Sequence, residues 1–246
     1  GELGMRHRSK SFSERGTPEE LSGRLPFWRQ KPIWRFLCFT VILVNLRSVF
    51  RHLDATMPKY MVREFGPKVA KGTVLSINSA MIIFLVPPIT AITSKIDNFD
   101  MIHAGAYITS ISVFVLAFYT SYEACVVFVL ILSLGEAMWS PRLYDYTTTV
   151  APSGQEGAFM ALASAPLFLS TLPVGYLSGY LLEKYCPAEG ERDSKHMWWV
   201  IALVTATSPL LITFTQRWVR EPKVPAIVRR STASGVDVET DERSSE

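Results

Sequence analysis

Cysteine is scarce in this 246-residue chain. Cys38, Cys125 and Cys186 form no spaced cluster, and two of them lie in apolar runs, so neither a disulfide framework nor a structural zinc site is indicated. No Gly-Xaa-Ser-Xaa-Gly elbow, phosphate-cradling glycine loop or His/Cys/Asp metal spacing occurs, and the enzyme chemistries carried by those motifs are not expected. An excess of one charge is missing too. The 25 Lys and Arg against 22 Asp and Glu leave a net charge of +3, too little to suggest a nucleic-acid partner. A ring-forming filter motif is absent, which argues against a channel. No apolar stretch with a cleavage site opens the chain, so no secretory signal peptide is read. Gly1 rather than Met stands first, and the chain is expected to be part of a longer protein.

What the sequence does have is apolar length. Hydrophobic residues make up 48% of it, although both ends are polar and charged. They are concentrated in six blocks of about twenty residues, the length that crosses ~30 Å of hydrocarbon at ~1.5 Å per residue. The blocks are Ile33 to Val49, with a helical continuation expected to Thr56, then Gly72 to Ser94, Met101 to Thr120, Tyr122 to Trp139, Gly157 to Leu182, and Met197 to Phe214. Buried helices of a soluble protein would carry polar stripes at helical spacing, which these runs lack. The expected class is therefore an all-α membrane protein in a lipid bilayer, with a six-helix domain over residues 33–218. Residues 1–32 read as a basic cytoplasmic segment. Thr17-Pro18-Glu19-Glu20 looks like a helix start, and Phe27, Trp28 and Trp34 alternate with cations as at a membrane interface. Residues 219–246 read as a disordered polar tail.

Charge sets a direction. With the N-terminal segment inside, the inner side receives sixteen Lys and Arg and the outer loops seven. The positive-inside rule then puts both ends in the cytoplasm.

Ionisable groups within spans are costly and are candidate functional residues by default. Glu136 is the foremost, about 20 Å into the fourth block and near its midplane, with no Lys or Arg within one turn; its alternative is a protonated carboxyl bonded to neighbouring backbone. Arg47, Arg51 and Asp54 share one face of the first helix at i, i+4 and i+7. Arg47 is the deeper and is expected to bind an anionic group or pair with Glu136. Arg51 and Asp54 read as an ion pair close to the outer surface, or as part of a gate. Asn78 is a polar group for a helix–helix hydrogen bond or for a ligand. Arg142 and Asp145, just after Pro141, are expected to form an inner-gate or structural ion pair, with Tyr144 and Tyr146 as interfacial anchors. Pro87-Pro88, Pro141, Pro166 and Pro173 are expected to interrupt their helices, and Gly175 and Gly179 to allow close packing.

Leu134-Gly135-Glu136-Ala137-Met138-Trp139-Ser140-Pro141, followed by Thr147-Thr148-Thr149-Val150-Ala151-Pro152, resembles the tenth helix of the proton-coupled oligopeptide transporters, a branch of the major facilitator superfamily. Leu75-Ser76-Ile77-Asn78 through Pro87 resembles their eighth helix, with Ser79 in place of their Pro. Gly157 to Gly179 resembles their eleventh, with Ala163 near an expected aromatic. The resemblance implies that residues 33–218 form the C-terminal six-helix bundle of a major facilitator fold, partnered by an N-terminal six-helix half. It implies secondary transport of a small polar solute by alternating access, with the proton as coupling ion and no other cofactor. Glu136 would take the role of the carboxylate that meets the substrate, and Asn78 that of a cavity polar group. The alternative is a six-helix membrane protein or accessory subunit that transports nothing.

Overall fold

The computed structural model describes residues 31–151 and 154–219. The basic segment and the polar tail, including the Thr17-Pro18 helix start, lie outside the described residues apart from their inner edges. Every regular element among the described residues is helical: α1 (Lys31–Ala55), α2 (Met57–Phe65), α3 (Lys71–Ile92), α4 (Asn98–Phe118), α5 (Tyr122–Val150), α6 (Glu156–Leu169), α7 (Thr171–Tyr185) and α8 (Ser194–Val219). Among the described residues, six spans are long and apolar enough to cross a membrane, the fifth made of α6 and α7 together. The chain is thus an all-α, multi-pass integral membrane protein.

Helix starts follow local chemistry. The Asp97 side chain accepts from Phe99 N–H at 2.9 Å to open α4, and the Ser121 hydroxyl accepts from Ala124 N–H at 3.1 Å to open α5. Each satisfies a first-turn donor that has no helical partner. The first block does not simply stop before Pro58. Because a proline is tolerated in the first turn, a short helix α2 restarts at Met57, and Gly66, at φ 92°, ends it.

The expectation that the prolines interrupt their helices is corrected at most positions. Pro87, Pro88, Pro141 and Pro166 lie inside continuous helices, and α5 runs eleven residues past Trp139 to Val150. The interruption falls instead at Ser170, between Pro166 and Pro173. Pro173 has no N–H to give Leu169, and the chain turns there before α7 resumes. The Leu167 carbonyl at this break is filled by side chains: the Ser170 hydroxyl at 3.0 Å, the Thr171 hydroxyl at 3.2 Å and Arg51 Nε at 3.2 Å.

Helices α4 and α5 form the tightest pair. A Cβ placed on Gly135 would lie 2.7 Å from Thr109 N, and one on Gly105 would lie 2.8 Å from Gly135 O. Only hydrogen fits between the two backbones, as in small-residue crossings of membrane helices. Gly175 and Gly179, the pair expected to pack closely, meet nothing within 4 Å, so α7 presents that face outward. Helix α8 is stitched to α1 by polar bonds: Asn45 Nδ2 to Thr207 Oγ1 at 3.0 Å and Ser208 Oγ to the Ile42 carbonyl at 2.8 Å. Two apolar clusters fill the interior. One gathers Leu53, Met57, Tyr60, Phe128 and Trp198; the other gathers Phe36, Phe39, Leu43, Trp139 and Phe159. Helix α3 stands at the edge of the bundle, with only Val74 buried among its own residues and Ile83, Phe84 and Ile92 exposed.

Candidate functional site

Glu136 lies midway along the span Tyr122–Thr149 and is partly buried. Its neighbour on the chain is Gly135, whose contact with Thr109 fixes how closely α5 approaches α4. The carboxylate is met from α3. Asn78 Nδ2 donates to Glu136 Oε2 at 3.0 Å and to Ser133 Oγ at 3.1 Å. A side-chain amide has two N–H donors, and here both are used on residues one turn apart on α5. Ser133 passes its own hydrogen to the Val129 carbonyl at 2.7 Å. A carboxyl in a membrane span without such a donor would be costly to bury.

The next turn of α5 carries Trp139, fully buried. The Arg47 guanidinium of α1 lies over its ring, 4.9 Å from the centroid, and Phe50 packs on the same indole at 5.9 Å. Arg47 is 8% exposed. Arg47 and Asp54 are both within electrostatic range of Glu136. Arg47 and Glu136 make no direct ion pair, so the pairing weighed for them is not formed. Arg47 Nε and Nη2 and Trp139 Nε1 are buried with no protein partner.

The remaining candidates separate into two places. Arg51, expected to pair with Asp54, donates through Nε to the Leu167 carbonyl at the break in the fifth span and makes no close ion pair with Asp54, which is exposed; the two remain near enough to interact electrostatically. The Leu167 carbonyl lies in the last turn of α6, where the helix leaves carbonyls without backbone partners, and Arg51 joins the Ser170 and Thr171 hydroxyls in filling it. Arg142 is buried at the far end of α5 and gathers three partners: the Thr90 carbonyl at 3.2 Å, Thr93 Oγ1 at 2.9 Å and Asn98 Oδ1 at 3.2 Å. Asp145, largely exposed, stands 3.8 Å from Arg142 Nη1. The guanidinium therefore serves mainly to tie the end of α3 and the start of α4 to α5. Tyr146, read as an interfacial anchor beside this pair, is buried against Phe39 at 5.3 Å; Tyr144 is exposed.

Sequence reasoning passed over Ser133 and Trp139. Both lie at three residues from Glu136, one turn away on the same side of α5, and that spacing was the available signal. It also passed over a buried polar chain. His52 Nδ1 and Thr56 Oγ1 are 2.8 Å apart, and Thr56 Oγ1 reaches Ser178 Oγ at 2.8 Å, joining α1 to α7. At the loop end of the bundle Arg63 Nη1 donates to the Leu182 and Cys186 carbonyls at 3.0 and 2.6 Å, and Ser194 Oγ donates to Glu64 Oε2 at 2.9 Å. These bonds make α2 a clasp on the connection between the last two spans.

No family model, curated protein or solved structure matches this chain.

Proposed function

We propose that this chain is one six-helix bundle of a secondary transporter of the major facilitator type, carrying a small polar solute together with a proton. The observation that carries the reading is the bond between Asn78 and Glu136: an ionisable carboxyl in mid-span, held by a polar side chain from another span. A purely structural bundle would gain nothing from a charge at that depth, whereas a proton-coupled carrier needs a group that binds and releases a proton midway across.

In this reading Glu136 holds the proton and meets the solute, Asn78 orients the carboxylate, and Arg47 supplies positive charge opposite it. A second six-helix half would close the site from the other side, and alternating access would rock one bundle against the other. Arg142 would keep the cytoplasmic ends of three helices moving as one body. Both ends of the chain would face the cytoplasm, as the Lys and Arg distribution favours.

The test is uptake by proteoliposomes of the full-length protein under an imposed pH gradient, screened over peptides, amino acids, sugars and inorganic anions. Glu136→Gln is expected to abolish accumulation driven by the gradient. Undiminished accumulation in that variant would sink the assignment.

A further inference from the structure

Asn45 stands at the centre of the span Phe36–Ala55, and Thr207 close to the centre of Ser194–Arg217. Both are therefore about 15 Å from either membrane surface, given ~30 Å of hydrocarbon. Neither is interior. Thr207 is exposed on the outside of the bundle and Asn45 is partly buried beside it, and the bond from Asn45 Nδ2 to Thr207 Oγ1, at 3.0 Å, is itself exposed. A side-chain amide carries two N–H donors and one carbonyl acceptor. Thr207 takes one donor and passes its own hydrogen to the Val204 carbonyl at 2.6 Å. Among the described residues nothing meets the second N–H or the amide oxygen.

Hydrocarbon cannot satisfy a spare donor and acceptor, so polar groups at this depth turn into a bundle or meet another helix. The face in question is not the one that serves Glu136. Arg47, two residues on, is turned about 200° around α1 and stacks on Trp139. Around Asn45 the surface is apolar. Val41 lies one turn before it on α1, and Val204, Thr207 and Leu211 follow at i, i+3 and i+7 on α8, all of them exposed. They flank the amide on both helices and seal it from lipid once a second surface covers it.

What covers the face follows from the chemistry of the amide. One spare N–H and one spare carbonyl oxygen are the complement of the same two groups on another Asn45. Two copies in one bilayer share an orientation, so the two-fold axis relating them lies along the membrane normal and each residue meets its twin at equal depth. Asn45 reaches its twin without a shift in depth, and donor meets acceptor twice. Any other partner needs a polar residue of its own at mid-membrane; a second copy supplies one by symmetry.

We propose that the seam of α1 and α8 around Asn45 is a lateral interface between two copies of this protein, closed by reciprocal amide hydrogen bonds between their Asn45 side chains. The inference goes beyond the transport reading and does not depend on it.

The experiment reconstitutes full-length protein, carrying donor or acceptor dyes on a terminal tag, into phosphatidylcholine liposomes at falling protein-to-lipid ratio. Energy transfer is read against the level of random proximity, and a saturable dimer is expected. Asn45→Leu, similar in size and without the amide, should weaken it by about tenfold, the effect of losing two interhelical bonds. In a background with Cys38, Cys125 and Cys186 replaced by Ser, Val41→Cys should cross-link between copies. Ile83→Cys, on the separate exposed face of α3, should not.

Energy transfer at the random level throughout would overturn the proposal. Free labelling of Val41→Cys would then leave the face to lipid, and shielding would give it to the rest of the same chain. A dimer as tight in Asn45→Leu as in the wild type would overturn it too, as would equal cross-linking at positions 41 and 83. If Asn45→Leu does not fold, Val41→Trp carries the test. Its bulk points away from the bundle, so the fold is kept while the two copies are held apart, and an undiminished dimer there would refute the interface.

Discussion

The amide of Asn78 on α3 donates to the carboxylate of Glu136 on α5 across 3.0 Å, although the two residues are 58 positions apart in the chain. Helix α3 buries little else of its own, so this bond and its companion to Ser133 are a large part of what holds α3 in register with α5. Asn78→Leu, similar in size and without a donor, is expected to lower stability by about 1 kcal/mol, the scale measured for side-chain bonds between membrane helices. Asn78→Asp should cost more, because it places a second carboxylate against Glu136. Unfolding in mixed detergent micelles measures both. Equal stability of Asn78→Asp and wild type would show that the bond does not form.

The two glycine pairs predict opposite outcomes for the same substitution. Alanine at Gly135 or Gly105 puts a methyl group into backbone or Cβ atoms of the facing helix, an overpacking that costs about 1–3 kcal/mol. Alanine at Gly175 or Gly179 meets open space and should leave the melting temperature of this bundle unchanged or slightly raised, because alanine is the better helix former. Thermal melting of the four variants in detergent decides the matter. Were Gly135→Ala as stable as Gly175→Ala, the close α4–α5 crossing would be wrong.

The contrast also shows what a single sequence can carry. Block length and apolarity mark all six spans, because hydrocarbon thickness imposes one length on every crossing. The same rule hides α2, whose Lys59, Arg63 and Glu64 give it the look of a loop. Helix ends are blurred for a related reason: apolarity stops at Trp139, yet α5 runs on through Pro141 to Val150, where Arg142 is held by partners at the end of α3 and the start of α4. At the site, the cost of charge in a membrane singled out Glu136 and Arg47, and Asn78 stood out as a polar residue within a span. How they face each other depends on helix rotation and tilt, which come from packing between helices. Arg51 is the clearest case. Its spacing to Asp54 suggested a pair along one helix, but a carbonyl exposed by a break on another span claims it.

Cys186, in the loop after α7, tests the clasp made by α2. Burial, with Glu64 close by, pushes its thiol above the ordinary value of 9.0. The folded state therefore favours the neutral thiol. That contribution is present in full below the ordinary value and is lost as pH rises through the raised one. In a Cys38→Ser, Cys125→Ser background, maleimide labelling at neutral pH should be slow and should accelerate in alkali. Arg63→Ala removes the bonds to the Leu182 and Cys186 carbonyls and should expose the thiol at neutral pH. Labelling of the parent as fast as that of a free thiol would contradict the buried position.

Arg142 offers the sharpest separation between a charge pair and a structural tie. Its partner in charge, Asp145, is largely exposed at 3.8 Å, and exposed pairs are commonly worth about 0–1 kcal/mol. Its three hydrogen-bond partners instead span the turn between α3 and α4. Asp145→Asn should therefore change stability little. Arg142→Ala should cost several times more, since it leaves the Thr90 carbonyl and the Asn98 side chain short of a donor. Arg142→Lys should fall between, because one ammonium lacks the fork needed to reach all three acceptors. Hydrogen exchange localises the effect: amides from Thr90 to Met101 are expected to lose protection in Arg142→Ala and to keep it in Asp145→Asn. Equal loss in the two variants would mean that the ion pair, rather than the bonds to α3 and α4, holds that end of the bundle together.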